Sequence, residues 1–313
     1  MEIVRGLESY PPDSPPSVVA LGTFDGIHLA HQKILASATE RARTLGVRAL
    51  ACTFDPHPLV VLQPGRPPIR ITDLAETLTR IAAQGVDVAV VIAFTLEFSL
   101  IEPEAFVRDV LCGRLKAREV VVGFNHTFGH GARGNARLLA ELAPKLSFAA
   151  HVMPPLSVDG VVVSSSAIRQ ALAQGDVVRA RKFLGHPYTV RGRVLRGKGR
   201  GRQLGFPTAN LKPECELILA PGVYAARASW EHGEAGAVVN VGVRPTFGEG
   251  EYWVEAYLLE FSDDLYDKLL TLAFLERIRP EQKFPDAESL RAQVAQDVAR
   301  ACQLLGEPLR RRS

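Results

Sequence analysis

The first 185 residues alternate short apolar stretches with amphipathic ones, and this alternation constrains the fold more than any other feature of the sequence. The apolar stretches predict strands at 18–24, 49–54, 86–94, 119–123 and 148–153. The amphipathic stretches predict helices at 31–45, 73–83, 103–115, 136–146 and 165–183. Parallel strands need helical crossovers of this kind. We therefore expect an α/β domain with a mostly parallel sheet, which binds ligands at the carboxyl ends of its strands.

The pattern changes after Leu184-Gly185-His186-Pro187 to alternating segments rich in β-branched and aromatic residues, separated by Gly and Pro. These segments predict strands at 189–195, 223–230, 237–243, 252–260 and 269–278, followed by a helix at 286–305. We expect a small antiparallel β-barrel with a C-terminal helix. The two predicted domains are 1–185 and 186–313.

Composition agrees with a globular chain of two domains. The 313 residues are 47% hydrophobic and 23% charged. The longest apolar run, 88–94, is far below the roughly 18 to 20 residues that cross a bilayer. We see no targeting peptide, and the four cysteines, at 52, 112, 215 and 302, form no CxxC pair. We expect a cytoplasmic protein without a membrane partner.

Positive charge is concentrated in one stretch. Nine Lys and Arg residues lie between Arg179 and Arg202, and no acidic residue falls between Asp176 and Glu214, although the net charge is only +3. Two interpretations stay open on charge alone: a docking surface for an anion, or a solvated basic segment at the domain junction.

Gly22-Thr23-Phe24-Asp25-Gly26-Ile27-His28-Leu29-Ala30-His31 follows the first predicted strand and opens the first predicted helix. Glycines at such a turn let the backbone approach a phosphate, and the helix N-terminus favours anions. His28 and His31 are three residues apart, so both can donate to one polyphosphate. The alternative is a turn with two surface or capping histidines.

Ser164-Ser165-Ser166-Ala167-Ile168-Arg169 precedes the last helix predicted for the first domain. Hydroxyl groups and free N–H groups at a helix start, with an arginine one turn later, form a second candidate anion site. Ordinary helix capping is the alternative.

Other common sites are disfavoured. HxxH lacks the spacing and the glutamate of HExxH zinc proteins, and no further ligand stands at a familiar offset. Gly129–Gly134 matches GxGxxG but does not directly follow a strand. The GxxxxGK[ST] phosphate loop is absent.

Four segments, GTFDGIHLAH, TFDPHP (53–58), VVGFNHTFGHGARGN (121–135) and SSSAIR, resemble the adenylyltransferase module of bacterial bifunctional riboflavin kinase/FAD synthetases, a nucleotidyltransferase of Rossmann-like topology. The resemblance implies that His28 and His31 are catalytic. It implies nucleotide binding by Gly22, Phe24, Asp25, Gly26, Ser164, Ser165, Ser166 and Arg169, and flavin binding by Phe54, Asn125 and Phe128.

Three residues depart from the family pattern. Ala30 stands where the family usually has Gly, which adds a methyl group near the expected ATP. Asn125 and Asn135 stand where Asp is common, and they retain hydrogen-bonding capacity without the negative charge.

Gly201-Arg202-Gln203-Leu204-Gly205-Phe206-Pro207-Thr208-Ala209-Asn210-Leu211 resembles the GRxLGFPTANL motif of riboflavin kinases, and GVYAA (222–226), NVGVRPTF (240–247) and VEAYLLEF (254–261) follow in the family's order. The resemblance implies ATP binding by Gly205, Pro207, Thr208 and Asn210. It also implies that Thr208 and Asn210 help to hold Mg²⁺, which prefers hard oxygen ligands.

Period-2 alternation places Glu255, Tyr257 and Leu259 on one face of the strand predicted at 252–260. Glu255 is a candidate base for a primary alcohol attacking a γ-phosphorus, the role that the family assigns to this glutamate. A cross-strand ion pair is the alternative. Tyr257 replaces the family's usual histidine.

The segment RIRPEQKF (277–284) resembles the flavin-side loop of the kinase. With the following helix it implies flavin contacts by Arg279, Phe284, Leu290 and Gln293; Phe284 and Leu290 are alternatively core residues. By the same resemblance the basic stretch 191–202 is expected to be a mobile flap near ATP.

The resemblance implies a two-step enzyme that uses Mg²⁺ and ATP. The barrel phosphorylates riboflavin to FMN, and the first domain adenylylates FMN to FAD with release of pyrophosphate. Two alternatives remain: a riboflavin kinase whose first domain is inactive or acts on another acceptor, and a noncatalytic flavin- or RNA-binding regulator that uses the basic stretch and Arg310-Arg311-Arg312. We expect small-molecule partners and no nucleic acid.

Overall fold

A computed structural model describes residues 1–65, 67–197, 200–243 and 252–307. The chain divides into two compact units, Met1–Ser165 and Ser166–Ser313. The boundary predicted from the sequence, 185/186, lies further along the chain. Two helices between these positions belong to the second unit in this division.

The strands of the first unit, in chain order, are β1 (Glu2–Arg5), β2 (Ser17–Leu21), β3 (Arg48–Asp55), β4 (Val88–Ala93), β5 (Ala117–Gly123), β6 (Thr127–Phe128), β7 (Gly134–Asn135), β8 (Ala149–Met153), β9 (Ser157–Val158) and β10 (Val161–Val162). Six of them form one sheet in the order β1-β4-β3-β2-β5-β8, and every neighbouring pair in it is parallel. β6 pairs with β7 and β9 with β10 in two small antiparallel ribbons.

The helices that begin in the first unit are α1 (Leu29–Leu45), α2 (Pro58–Leu62), α3 (Leu74–Ala82), α4 (Leu96–Ser99), α5 (Pro103–Ala105), α6 (Ala136–Leu142) and α7 (Ser165–Ala173). A π-helix continues α5 over Phe106–Arg114, and 3₁₀ turns occupy Leu7–Ser9 and His130–Ala132. The single helix predicted at 103–115 therefore has two kinds of helical hydrogen bonding.

All five residues of β2 are buried, as expected for a central strand covered on both faces. Val18 and Ala20 pack against α1 residues such as Leu35, whereas Val19 and Leu21 face the core on the other side of the sheet. The chain winds from β2 to β3 and β4 on one side, and β5 and β8 lie on the other side. The winding thus reverses between β2 and β5, and the crevice beyond their carboxyl ends is the usual ligand position in such sheets.

The second unit continues with α8 (Val177–Leu184), β11 (Tyr188–Leu195), α9 (Arg200–Gln203), β12 (Ala209–Pro213), β13 (Gly222–Trp230), β14 (Gly233–Val243), β15 (Tyr252–Leu258), β16 (Leu269–Pro280) and α10 (Ala287–Leu305). The strands close an antiparallel barrel in the order β11-β12-β15-β14-β13-β16. On β15, Tyr257 packs outward against Ala301 and Cys302 of α10, so the alternate residues Val254 and Ala256 point into the barrel.

The predicted fold class, a Rossmann-like parallel sheet followed by a small barrel with a C-terminal helix, is confirmed. The continuous helix predicted at 165–183 is wrong. The chain breaks at Gly175, whose φ of 77° is left-handed, and Asp176 caps the next helix by accepting from the Arg179 N–H at 2.9 Å. Strands β1 and β12 and the four short strands of the two ribbons, β6, β7, β9 and β10, were not predicted.

Within the described part of the chain, the helices are all too short or too polar to cross a membrane.

Candidate active sites

The loop after β2 ends in two stacked histidines. His28 caps α1: its Nδ1 accepts from the backbone N–H of His31 at 3.3 Å. The two imidazole rings stack with their centroids 3.6 Å apart. The Phe24 ring packs edge-on against the His31 ring, with centroids 5.3 Å apart. Both rings of the histidine pair therefore lie at the N-terminus of α1, which follows β2, one of the two strands between which the winding of the sheet reverses.

The protonation of this pair follows from its contacts. Burial, together with the neighbouring His28, holds the pKa of His31 well below its usual range. Because His28 Nδ1 accepts a hydrogen bond, the neutral His28 ring carries its proton on Nε2. In this arrangement His31 is held neutral and His28 can donate from Nε2.

Asp25 organises the loop instead of facing outward. Its fully buried carboxylate accepts from the N–H groups of Ile71 at 2.9 Å and Thr72 at 3.3 Å, and the Gly26 N–H donates to the Thr72 hydroxyl at 3.1 Å. Phe24 is also fully buried, and a Cβ on Gly22 would lie 3.2 Å from its ring. Phe24 and Asp25, two of the predicted nucleotide-binding residues, therefore support the backbone of the turn from the protein interior.

The serine segment reaches the same turn. The Ser165 hydroxyl donates to the backbone oxygen of Asp25 at 3.1 Å, so this part of the second predicted anion site lies beside the first. Ser164 is half-buried. In the first turns of α7, Ser166 is exposed and Arg169 is half-buried; both belong to the second unit.

Phe54 and Phe128 belong to one chain of aromatic rings. Phe54 contacts Phe94 and Phe98 at centroid distances of 5.7 and 6.2 Å, and Phe106 contacts Phe128 at 5.7 Å. Both predicted flavin residues are only 8% exposed. Both belong to the hydrophobic core on one side of the sheet, whereas Asn125, which follows β5, is exposed.

His126 extends this aromatic chain. Its ring stacks on Phe128 with centroids 6.0 Å apart, and its Nε2 is buried without a hydrogen-bond partner among the described residues. Burial lowers the pKa of His126 to about 4.

Two of the three departures from the family pattern have a structural explanation. Asn135 caps α6 by accepting from the Leu138 N–H at 3.0 Å, a task that Asn performs as well as Asp. Ala30 is the second residue of α1, where alanine is the most favourable helix former.

In the barrel, three polar side chains share one row. The register pairs Glu255 on β15 with Asn210 on β12 and with Asn240 on β14, so all three lie on the same face of the sheet. Asn210 is 7% exposed. The indole Nε1 of Trp253, two residues before Glu255, donates to Glu255 Oε1 at 2.5 Å. The ion pair considered as an alternative for Glu255 does not occur among the described residues.

Two glycines lie directly against the predicted metal ligands. A Cβ on Gly201 would lie 3.0 Å from the Thr208 hydroxyl, and a Cβ on Gly197 would overlap the Asn210 amide. Gly205, with φ of 85°, turns the chain before Pro207 and Thr208. The Thr208 hydroxyl and the Asn210 amide oxygen are the kind of hard oxygen donor that fits Mg²⁺ bound to a nucleotide. In the described residues, no cluster of three or more His, Cys, Asp or Glu side chains offers a different metal site.

The basic stretch is structured at its start. Arg191 and Arg193 lie in β11; the Arg193 guanidinium donates to the Asp267 backbone oxygen at 2.5 Å, and Arg191 lies 3.5 Å from a Glu214 oxygen. The flap predicted for 191–202 is therefore wrong for the strand residues. Lys198 and Gly199, the 244–247 part of NVGVRPTF, and Arg310–Arg312 lie outside the described residues.

Two of the residues predicted for the kinase flavin site, Arg279 and Gln293, contact Asp297 of α10, which is 2% exposed. The Arg279 guanidinium donates to both carboxylate oxygens of Asp297, at 3.0 and 2.8 Å, and Gln293 donates at 3.1 Å. Arg279 also lies over the Phe284 ring, 5.6 Å from its centroid. Leu290 is half-buried near the start of α10. Arg279 thus links Asp297 of α10 to the Phe284 ring.

Sequence reasoning missed several residues of these sites, among them Thr72, Asn240 and Trp253. Thr72 and Asp25 are 47 residues apart in the chain, so no local pattern joins them. Asn240 stands inside a quoted motif, but only the strand register places it beside Glu255. The alternation of β15 already puts Trp253 on the Glu255 face and was the available signal.

Comparison with known proteins covers both units. A family model described as FAD synthetase matches residues 10–167, and one described as riboflavin kinase matches residues 184–305. A protein of Pseudomonas fluorescens is 35% identical over 302 residues, 96% of this chain and 97% of that protein. A protein of Escherichia coli K12 is 32% identical over 309 residues, 98% of both chains. Both are called bifunctional riboflavin kinase/FMN adenylyltransferase.

A crystal structure from Streptococcus pneumoniae, called a macrolide-efflux protein, matches with a TM-score of 0.88 and 29% identity over 96% of this chain and 98% of that one. The same fold thus recurs over nearly the full length.

Proposed function

Because the chain belongs to the bifunctional riboflavin kinase/FMN adenylyltransferase family, we propose that two separate sets of its residues convert riboflavin to FAD in consecutive ATP-dependent steps. The observation that carries this division is the presence of two unlike polar sites, the histidine pair at the parallel sheet and the Asn210–Glu255–Asn240 row on the barrel. We assign adenylyl transfer to 1–185 and phosphorylation to 186–313.

In the kinase step, Glu255 accepts the proton of the riboflavin 5′-hydroxyl as that oxygen bonds to the γ-phosphorus of ATP and the bond to the ADP oxygen breaks. Phosphoryl transfer depends on positioning and charge neutralisation. Thr208 and Asn210 would hold Mg²⁺, which when bound neutralises charge on the phosphates. Gly197 and Gly201 let the backbone lie directly against these two side chains, where a residue with a Cβ would collide with its neighbours.

In the second step, a phosphate oxygen of FMN bonds to the α-phosphorus of ATP as the bond to pyrophosphate breaks. This nucleophile is already ionised near neutral pH, so the residues need not remove a proton. His28 would donate from Nε2 to the phosphates on which charge develops, as part of an anion site with the N–H groups that open α1. The buried rings of Phe54 and Phe128 supply an apolar border for the isoalloxazine.

Buried thiols at Cys52 and Cys302 and the absence of disulfides among the described residues support the cytoplasm as the compartment. Small molecules are the proposed partners.

Chromatography of flavin products tests the proposal. Purified protein with Mg-ATP should make FMN and then FAD from riboflavin, and FAD from FMN. FMN as the only product from riboflavin, with added FMN left unchanged, would refute the adenylyl-transfer half. No product from riboflavin would refute the kinase half.

A further inference from the structure

We propose that Trp253 is a positioning residue for the kinase step, which holds the Glu255 carboxylate in the orientation that receives the hydroxyl proton. The inference rests on the proposed role of Glu255. It concerns a side chain that lies outside the motifs that identified the site.

The contact is direct. Trp253 and Glu255 are two residues apart on β15, so both project from the same face of the strand. The indole Nε1 donates to Glu255 Oε1 at 2.5 Å. This bond engages one carboxylate oxygen and leaves Oε2 as the atom presented to the substrate hydroxyl.

The chemistry of the donor suits a positioning role. An indole N–H donates only, so it cannot take the transferred proton in place of Glu255. Its rigid ring has two rotatable bonds, whereas the glutamate side chain has three. A hydrogen bond to a charged group is stronger than one between neutral groups, so the bond restricts the carboxylate effectively.

The strands beside β15 place small or uncharged residues opposite this pair, and the nearest side chain to the glycine opposite Trp253 is that of Glu281, whose Oε1 would lie 2.7 Å from an added Cβ. The residue opposite Trp253 on β14 is Gly242, which places no side chain on that face. The residues opposite Glu255 are Asn210 and Asn240, whose amides are uncharged. The indole N–H of Trp253, on the same strand, is therefore the donor that orients the Glu255 carboxylate.

Orientation matters for this step because the hydroxyl must lie within about 2.6–3.2 Å of the base while it is in line with the phosphorus. A misplacement of about 1 Å costs roughly a hundredfold in rate. Losing the indole donor should therefore lower kcat and leave substrate binding nearly intact.

Two substitutions separate the hydrogen bond from the bulk of the ring. Trp253→Phe keeps an aromatic ring without the N–H. Trp253→His places a ring nitrogen, Nε2, at the position of the indole Nε1 without the second ring; it is measured at pH 8, where an ordinary histidine is neutral. We expect kcat for FMN formation to fall about tenfold to a hundredfold in Trp253→Phe and to stay within about threefold in Trp253→His. KM for riboflavin and ATP should change less than about twofold, and the rate of FAD formation from FMN should not change.

A spectroscopic measurement tests the contact without relying on activity. The chain has two tryptophans, so its ¹H–¹⁵N spectrum should show two indole N–H signals. Glu255→Gln should shift the Trp253 signal and leave that of Trp230, which packs edge-on against Phe261, in place. Trp253→Phe assigns the signals.

Either of two results overturns the inference: an indole signal that does not respond to Glu255→Gln, or equal losses of kcat in Trp253→Phe and Trp253→His. Wild-type protein that makes no FMN would instead overturn the proposed function, and the spectrum would still report whether the bond exists.

Discussion

At the scale of single residues, several side chains have a structural task besides the proposed chemical one. His28 caps α1 and also stacks on His31. Asp25 carries no visible chemistry, yet its buried carboxylate holds the 71–72 segment against the turn. A loss of activity on substitution therefore has to be separated from a loss of structure.

His28 allows this separation. His28→Asn retains a good N-cap and removes the imidazole, whereas His28→Ala removes both, and losing a cap costs about 0.5–2 kcal/mol. We expect FMN adenylylation to fall at least about a hundredfold in both variants, with a lower unfolding midpoint only in His28→Ala. Enzyme assays and thermal unfolding check this; an unimpaired adenylylation rate in His28→Asn would remove His28 from the mechanism.

His126 predicts a dependence of stability on pH. Its pKa in the folded protein is about 4, because it is buried, against about 6.5 for an ordinary histidine. As pH falls, the unfolded chain therefore takes up a proton at this position before the folded protein does. The free energy of unfolding is at its full value above pH 6.5 and decreases as pH falls toward 4, by up to about 1.4 kcal/mol per pH unit.

His126→Phe keeps the stacking on Phe128 and removes the titrating group. Urea unfolding should show that wild type loses more stability than this variant between pH 6.5 and 4.5, with the sign given by the lowered pKa. Parallel pH profiles for the two proteins would contradict the burial of His126.

At the scale of elements, the buried pair Arg279–Asp297 joins β16 to α10 and supports Phe284. Asp297→Ala leaves the Arg279 charge without its partner, which for buried pairs costs about 3–5 kcal/mol. We expect a marked loss of stability and a higher KM for riboflavin, measured by unfolding and kinase assays.

A matched control lies after the end of the same helix. Glu307 pairs with Arg227 at 3.0 Å, but the arginine side chain is 42% exposed. Glu307→Gln should cost no more than about 1 kcal/mol. Equal losses in the free energy of unfolding in Asp297→Ala and Glu307→Gln would contradict a larger stabilising contribution from the buried Arg279–Asp297 pair.

The element scale also shows what the sequence could predict. The central strands and α1 were predicted to within a few residues, because strands buried on both faces and amphipathic helices leave strong local patterns. β12 was missed because ANLKP has no such pattern and is a strand through its pairing with β11 and β15. The break at Gly175 was missed because a helix-compatible composition continues on both sides.

The sites divide in the same way. Glycine turns, the HxxH pair and Glu255 were visible as local motifs. Strand register alone brings together the row Asn210–Glu255–Asn240. The contact between Ser165 and Asp25 joins residues 140 positions apart. No local sequence pattern encodes either arrangement.

At the scale of the whole molecule, the central claim is that one chain carries two consecutive reactions on independent sets of residues. FMN is the product of one set and the substrate of the other, so a variant with one defective site should complement a variant with the other site defective.

The most direct test is chromatography of flavins made from riboflavin and Mg-ATP by Glu255→Gln, by His28→Asn and by their mixture. Glu255→Gln alone should form FMN at least about a hundredfold more slowly yet convert added FMN to FAD. His28→Asn alone should stop at FMN, and the mixture should restore FAD. Loss of both reactions in either variant, or a mixture that makes no FAD, would contradict the account.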